Sequence, residues 1–344
     1  MVYPDFIENE EQLDDLMSEP GDRLVSMMEK LRGDILILGA SGKMGVQLAM
    51  MAKKASHRSG TGKRITGVSR FTDPNAREKL ERFGISTVKC DLLDQQELGR
   101  LPDVENIIFM AGRKFGTTGS EELTWAVNGI TPAFVCERYR KSKIVAYSTG
   151  CVYPFVDISS GGSLESDPPG PVGEYAQTTL ARERVFQYYA KKFSIPVCLF
   201  RLNYSIDLRY GVLFDICSRV FREEPVDVTT GAVNVIWQGD AVERSLLCLD
   251  HCGVPSRPLN VTGPETVSVR YLAETFAAIL GKTVRLRGEE SRFCALSNAS
   301  RSFELFGYPK VSLNRMIRWT AHWVRHGMPS LGKPTHFDER KGEF

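Results

Sequence analysis

Three glycines stand at GxxGxxG spacing in Gly39-Ala40-Ser41-Gly42-Lys43-Met44-Gly45, directly after the apolar run DILIL at 34–38. The chemistry open to this arrangement is the cradling of a pyrophosphate. The first glycine permits a tight turn out of a strand, the second lets the backbone approach the phosphates, and the third lets a helix pack close to the sheet. The helix that follows turns unpaired N–H groups and the positive end of its dipole toward the anion. A second strand, RITGVS at 64–69, ends in Ser69-Arg70. An acidic residue at that point would accept from the adenosine ribose hydroxyls. A hydroxyl and a guanidinium suit a 2′-phosphate instead, so NADP is preferred to NAD, the competing reading being that Arg70 is a solvated surface charge.

Other groupings point to less. Eight cysteines are scattered without a CxxC pair, mostly inside apolar runs. This is the pattern of free buried thiols in a reducing compartment, and a cytoplasmic location is expected. Cys248, His251 and Cys252 share helical spacing and read as a helix end, and His322 and His326, four apart, show no third ligand, so no metal is expected. The net charge is +2 with the signs mixed along the chain, which calls for neither nucleic acid nor an anionic membrane. No run of eighteen apolar residues suggests a membrane span, and the acidic opening MVYPDFIENEEQLDD is unlike a signal peptide.

The elements that must hold the glycine turn can be read from periodicity. Short apolar runs alternate with amphipathic stretches: DILILG, RITGVS, ISTVKC, NIIFMAG, KIVAYS and IPVCLFRL as strands, with helices over 42–56, 74–83, 119–140 and 173–193. This predicts an α/β fold, a Rossmann-type doubly wound parallel sheet. After residue 205 the rhythm changes, and a smaller C-terminal α/β substrate lobe is expected. The divisions are an acidic helical extension over 1–33, a dinucleotide-binding domain over 34–205 with segments of 231–262 returning to it, the lobe over 206–328, and a polar tail over 329–344. The extension and the tail have two readings, closure over the site or contact with a neighbouring subunit.

The chain resembles the extended short-chain dehydrogenases/reductases, the NAD-dependent epimerase/dehydratase group. The resemblance rests on the glycine motif, on CDLLD at 90–94, MAG at 110–112, WAVNGITP around Asn128, YSTGCVYP ending a strand, GEYAQTTLARE around Tyr175, WQGDAVERSL around Asp240, and NVTGPETVSVRYLAE at 260–274. It implies that Asp91 and Leu92 lie at the adenine, that Ala111 and Gly112 line the cofactor, and that Asn128 is a structural residue. It implies further that Tyr175 is the catalytic acid/base and that Thr149 holds the substrate oxygen. Arg113, Lys114, Cys151, Arg201, Asn203 and Arg209 are the candidate substrate-side residues. In the family the helices after strands four and five pair across a two-fold axis. Here they carry Trp125, Val127, Phe134 and Val135 on one and Leu180, Val185, Phe186 and Tyr189 on the other, so a homodimer is expected.

The chain departs from the family's YxxxK at one point, reading Tyr175-Ala-Gln-Thr-Thr179. In the family the lysine lowers the tyrosine pKa. Bringing a phenol from about 10 to near 7 takes about 4 kcal/mol, which a threonine cannot supply through charge. Arg182, one turn further along the helix, and Arg113 and Lys114 are candidate replacements, as is the charged nicotinamide ring itself. Two functions are therefore carried forward. The first is an NAD(P)-dependent oxidoreductase, epimerase or dehydratase acting on a hydroxyl or keto carbon. The second is a catalytically impaired dinucleotide-binding sensor or partner. The segment Gly231–Asp240 has no Arg or Lys to clamp a diphosphate, so the expected substrate is a small sugar, sugar acid or polyol rather than a nucleotide sugar.

Overall fold

Runs such as ILIL and NIIF are apolar on both faces, and only a central strand covered on both sides can bury them. In the computed structural model, which describes residues 3–114, 116, 119–333 and 335–343, they are neighbours at the middle of the sheet. Seven parallel strands form it: β1 (Ile35–Leu38), β2 (Ile65–Ser69), β3 (Ser86–Lys89), β4 (Asn106–Phe109), β5 (Lys143–Thr149), β6 (Val197–Leu202) and β7 (Arg257–Val261). Their spatial order is β7-β6-β5-β4-β1-β2-β3. The register sets Leu38 beside Phe109, Phe109 beside Ala146, and Thr149 beside Leu202. The chain thus winds one way from β1 to β3 and the other way from β4 onward. This opens a crevice at the carboxyl ends of β1 and β4, where such sheets bind ligands.

One face of the sheet is covered by α2 (Asp22–Lys30), α3 (Gly45–Arg58) and α10 (Gln238–Leu247), through Leu24, Met28, Leu48, Met51, Val242 and Leu246. The other face is covered by α7 (Thr131–Arg138) and α8 (Gly173–Phe193), through Val135, Cys136, Phe186 and Ala190. A second apolar core lies in the lobe around α9 (Val212–Phe221), α11 (Val269–Leu280) and α13 (Leu313–Arg325), with Trp319 and Trp323 fully buried. Among the described residues no helix is long and apolar enough to cross a membrane.

The acidic N-terminal segment joins the two cores. Helix α1 (Glu10–Met17) sends Leu13 and Met17 into the lobe, while α2 packs on the sheet domain. Its buried Asp14 accepts from Gln47 of α3 at 2.8 Å and pairs with Arg209 of the lobe at 3.0 Å and with Lys79. A buried carboxylate is tolerable only when its oxygens are matched in this way, so Asp14 fixes the lobe to the sheet domain.

Candidate active site

Gly39 leaves β1 at φ 97°, and its N–H donates to the Val68 carbonyl at 2.8 Å. A Cβ at this position would stand 2.7 Å from the Ala111 nitrogen, so the close approach of the β1 and β4 turns requires glycine here. A Cβ on Gly45 would stand 2.5 Å from the Ala40 carbonyl oxygen, which makes this third glycine equally obligatory at the start of α3. The first turn of α3 has no side-chain cap and no acidic residue, and of its N–H groups that of Gly45 donates to the Gly42 carbonyl at 3.0 Å. The loop residues Ser41, Gly42, Lys43 and Met44 form the rim. The Ser41 hydroxyl lies 2.5 Å from that of Ser69, and Arg70 is exposed next to it. Asp91 follows β3, with its carboxylate accepting from the Leu93 N–H at 3.0 Å, and Leu92 is buried behind it. The cradle suits a dinucleotide.

Asn128 sits in a π-helical turn (Ala126–Ile130) between α6 (Glu121–Trp125) and α7. Its Oδ1 accepts from the Arg113 N–H at 2.9 Å and from Arg182 Nη2 at 2.6 Å. Its Nδ2 donates to the Arg113 carbonyl at 3.0 Å and to the Thr178 hydroxyl at 2.9 Å. A buried amide satisfied on both ends locks the turn after β4 to helix α8.

Tyr175 lies in the first turn of α8, with its carbonyl accepting from the Thr179 hydroxyl at 2.8 Å and its phenol beside the Thr149 side chain. Thr149 ends β5, and its hydroxyl oxygen also accepts from the Cys151 N–H at 3.2 Å. Burial is the main influence on the Tyr175 phenol, and the nearby Cys151 adds to it. The Arg182 guanidinium and the two threonine hydroxyls pull the other way, and the phenol ends at about 12. It is therefore fully protonated at neutral pH.

Arg182 follows Thr179 on the next turn of α8. The Arg182 guanidinium is buried, donates from Nη1 to the Tyr147 carbonyl at 2.9 Å, and lies 5.5 Å from the Phe109 ring centroid. It presses against Gly112, where a Cβ would collide with Nη2. Burial lowers its pKa to about 10, so it stays charged at neutrality. A cation under the tyrosine is thus present, carried seven residues along the helix instead of four.

The substrate-side candidates separate into two groups. Lys114 lies with its Nζ 5.8 Å from the Tyr175 ring centroid and 3.4 Å from the Thr335 carbonyl, and burial holds its pKa down. Cys151 is half-buried beside Tyr175. Arg113 turns its guanidinium to the Gly116 carbonyl at 2.5 Å. The other three are already partnered within the fold, Asn203 beside Gly150 at the carboxyl end of β5. Arg201 makes a bidentate pair with Glu183 at 2.8 and 2.7 Å, because the fully buried Glu183 requires a matched cation. Asn203 donates to Asn234 at 2.7 Å and to the Ala295 carbonyl at 3.1 Å. Arg209 is held by Asp207, Asp14 and Glu10 at the lobe junction.

Periodicity gave no sign of four further participants. Tyr210 receives Lys43, whose Nζ stands 3.1 Å over the ring centroid. Burial, with help from Lys114 and Lys333, lowers the Lys43 pKa to about 7. Asp215 of α9 accepts from the Thr335 N–H at 2.8 Å. Lys333 and Thr335 belong to the tail, whose composition reads as solvent-exposed.

Residues 35–205 match the model of the NAD dependent epimerase/dehydratase family. No protein of curated function matches the chain in sequence. Among solved structures, the chain is similar to UDP-glucose 4-epimerase of Thermus thermophilus in complex with NAD, with 19% identity and TM-score 0.69 over 85% of this chain and 99% of that one. It is similar also to UDP-glucuronic acid 4-epimerase of Bacillus cereus with UDP-glucuronic acid and NAD, with 19% identity and TM-score 0.70 over the same shares. The dTDP-glucose 4,6-dehydratase of Bacillus anthracis, in complex with NAD, gives 18% identity and TM-score 0.71 over 85% of this chain and 96% of that one. At these identities the likeness is one of fold.

Proposed function

Since residues 35–205 place the chain in the NAD-dependent epimerase/dehydratase family, we propose that it is an NAD(P)-dependent enzyme acting at a hydroxyl or keto carbon of a small carbohydrate-like substrate. The observation that carries this reading is the contact of Tyr175 with Thr149 at the end of β5, beside a glycine turn built for a dinucleotide. When bound, the dinucleotide supplies the hydride donor or acceptor. The chain's own residues do the rest. Thr149 orients the substrate oxygen, and Tyr175 gives or takes the proton at that oxygen. Arg182 stabilises the phenolate that forms when the proton leaves. A phenol at about 12 is best suited to donate, so the reduction direction needs no prior ionisation.

The exposed Arg70 beside Ser69 favours NADP. A sugar, sugar acid or polyol suits the lobe better than a nucleotide sugar, since no Arg or Lys lies between Gly231 and Asp240. The buried Lys114 beside Tyr175 favours the acid among these, as an ammonium out of water gains most from a carboxylate partner. The test is a cofactor-reduction and cofactor-oxidation screen against sugars, sugar acids and polyols, run beside UDP-, GDP- and dTDP-sugars. Turnover that Tyr175→Phe lowers by about 10²–10⁴-fold is expected. Full activity in Tyr175→Phe would remove the tyrosine from the mechanism.

The high pKa of Tyr175 and the uncharged Thr179 favour a second reading, a dinucleotide-binding protein without turnover. Micromolar cofactor binding with no conversion in any arm of the screen would select it.

A further inference from the structure

The polar tail does not leave the molecule. It starts at the lobe, where the Pro329 carbonyl accepts from Trp323 Nε1 at 2.8 Å and Leu331 N–H donates to the Arg209 carbonyl at 3.0 Å. Thr335 then reaches the crevice. Its N–H and its hydroxyl both donate to Asp215 Oδ2, and its carbonyl accepts from Lys114. His336 turns the chain through a left-handed conformation at φ 54°. Phe337, 2% exposed, enters the lobe core, and its carbonyl accepts from the Thr230 hydroxyl at 3.0 Å. Beyond it Arg340 lies 4.5 Å from the Phe155 ring centroid and donates to the Phe293 carbonyl at 2.8 Å. Gly342 finally lies on Gly173, two residues before Tyr175. A Cβ on Gly173 would collide with the Gly342 carbonyl oxygen, so the tail and the start of α8 touch backbone to backbone.

The segment therefore runs from Lys114 to Gly173, and both of these border Tyr175. We propose that residues 329–333 and 335–343 form a strap that gates the crevice over Tyr175, latched by Thr335 between Asp215 and Lys114, and that the strap opens to admit ligand. The latch is small and polar, and one buried aromatic side chain, Phe337, anchors it. Segments held by so few buried apolar groups open well below the threshold for global unfolding. Latching also occupies Lys114, the cation assigned above to the substrate, so opening and exposure of the substrate-binding group are one event. The proposal rests on placing the site at Tyr175 and Thr149.

Cys151 is the reporter. It is half-buried at the carboxyl end of β5, whereas Cys252, the other half-buried thiol, lies 3.4 Å from the Ile144 carbonyl at the opposite end of that strand. The full chain is treated with iodoacetamide and alkylation is resolved by residue. Asp215→Ala and Phe337→Ala should each speed Cys151 alkylation at least about tenfold over wild type, the scale set by losing a charged hydrogen-bond pair or a buried aromatic. Cys252 should not change. Unchanged Cys151 rates in both variants would overturn the gate. Hydrogen exchange on the unmodified chain decides independently, should either variant fold poorly. The Leu331 and Thr335 amides should exchange at least about a hundredfold faster than those of β1 and β4, and equal protection would show a fixed wall. Both measurements read access rather than turnover, so the strap and the proposed activity fail separately.

Discussion

Arg182 Nη2 donates to Asn128 Oδ1 at 2.6 Å, and this bond holds a guanidinium beneath Tyr175 in a chain that has no lysine four residues after the tyrosine. Asn128 is itself fixed by the Arg113 backbone and by Thr178, so the guanidinium cannot turn aside without breaking a closed network.

The first expectation concerns this pair. Arg182 is the cation that lowers the Tyr175 pKa, so Arg182→Leu should carry the phenol further above about 12. The basic limb of the pH–rate profile for substrate oxidation should move to higher pH, because that direction requires phenolate. Reduction should be less affected. Stability should fall by no more than about 3 kcal/mol, since two charged hydrogen bonds are lost while the cost of burying the cation is removed. Thr179→Lys in the same background should return the limb toward neutrality. A profile indifferent to Arg182→Leu would show that the guanidinium has only a packing role.

The helix bearing Tyr175 could be read over its full length, 173–193, because no Gly or Pro interrupts 174–193 and Pro196 follows it. The glycine turn was equally legible, as each glycine answers to backbone a few residues away or to the next strand. What the sequence withheld are pairings between distant positions. Arg182 and Gly112 stand 70 residues apart, and only the fold shows that the arginine needs the glycine. Arg201 looks like a substrate cation until the buried Glu183 claims it. The tail is polar throughout except for Leu331, Phe337 and Phe344, a pattern no periodicity argument distinguishes from a solvated end.

A second expectation follows from Ser69 and Arg70. NADP should bind at least as tightly as NAD, and Arg70→Ala should weaken NADP alone by about 1.5–3 kcal/mol, or about 10- to 150-fold. Fluorescence titration of both cofactors against both proteins measures this. NAD preference in the wild type, with Arg70→Ala neutral, would assign Arg70 to solvent.

Lys43 should make cofactor binding depend on pH. Burial and the neighbouring Lys114 and Lys333 lower its pKa to about 7 in the free protein. A pyrophosphate brought to the glycine turn should raise it toward the usual value of about 10.4. Between these limits the free protein holds a neutral amine and the complex an ammonium, so binding takes up a proton. Affinity should be flat below pH 7 and fall as pH rises from 7 toward 10, by at most about tenfold per pH unit. Calorimetry in buffers of different ionisation enthalpy counts the proton directly. Lys43→Met should abolish the uptake, and an unchanged proton count in that variant would place the titrating group elsewhere.

The last expectation is assembly. Of the eight apolar side chains that suggested a two-fold helix pairing, Val135 and Phe186 are fully buried in the sheet core, and Phe134 and Tyr189 pack against it. Other large apolar side chains on these helices are nonetheless exposed. Trp125 is 43% exposed, Ile130 48% and Tyr188 58%, on α6, the π-helical turn and α8, which pack side by side. Large aromatic and aliphatic groups clustered on neighbouring helices are the usual mark of a covered surface. A C2 pairing of these helices would bury each group against its own counterpart without leaving an open end. Light scattering at micromolar concentration should give twice the chain mass of 38.5 kDa. Ile130→Glu and Tyr188→Glu change exposed side chains and should give monomers with unchanged secondary structure. A wild-type monomer in the same measurement would mean that this face meets solvent.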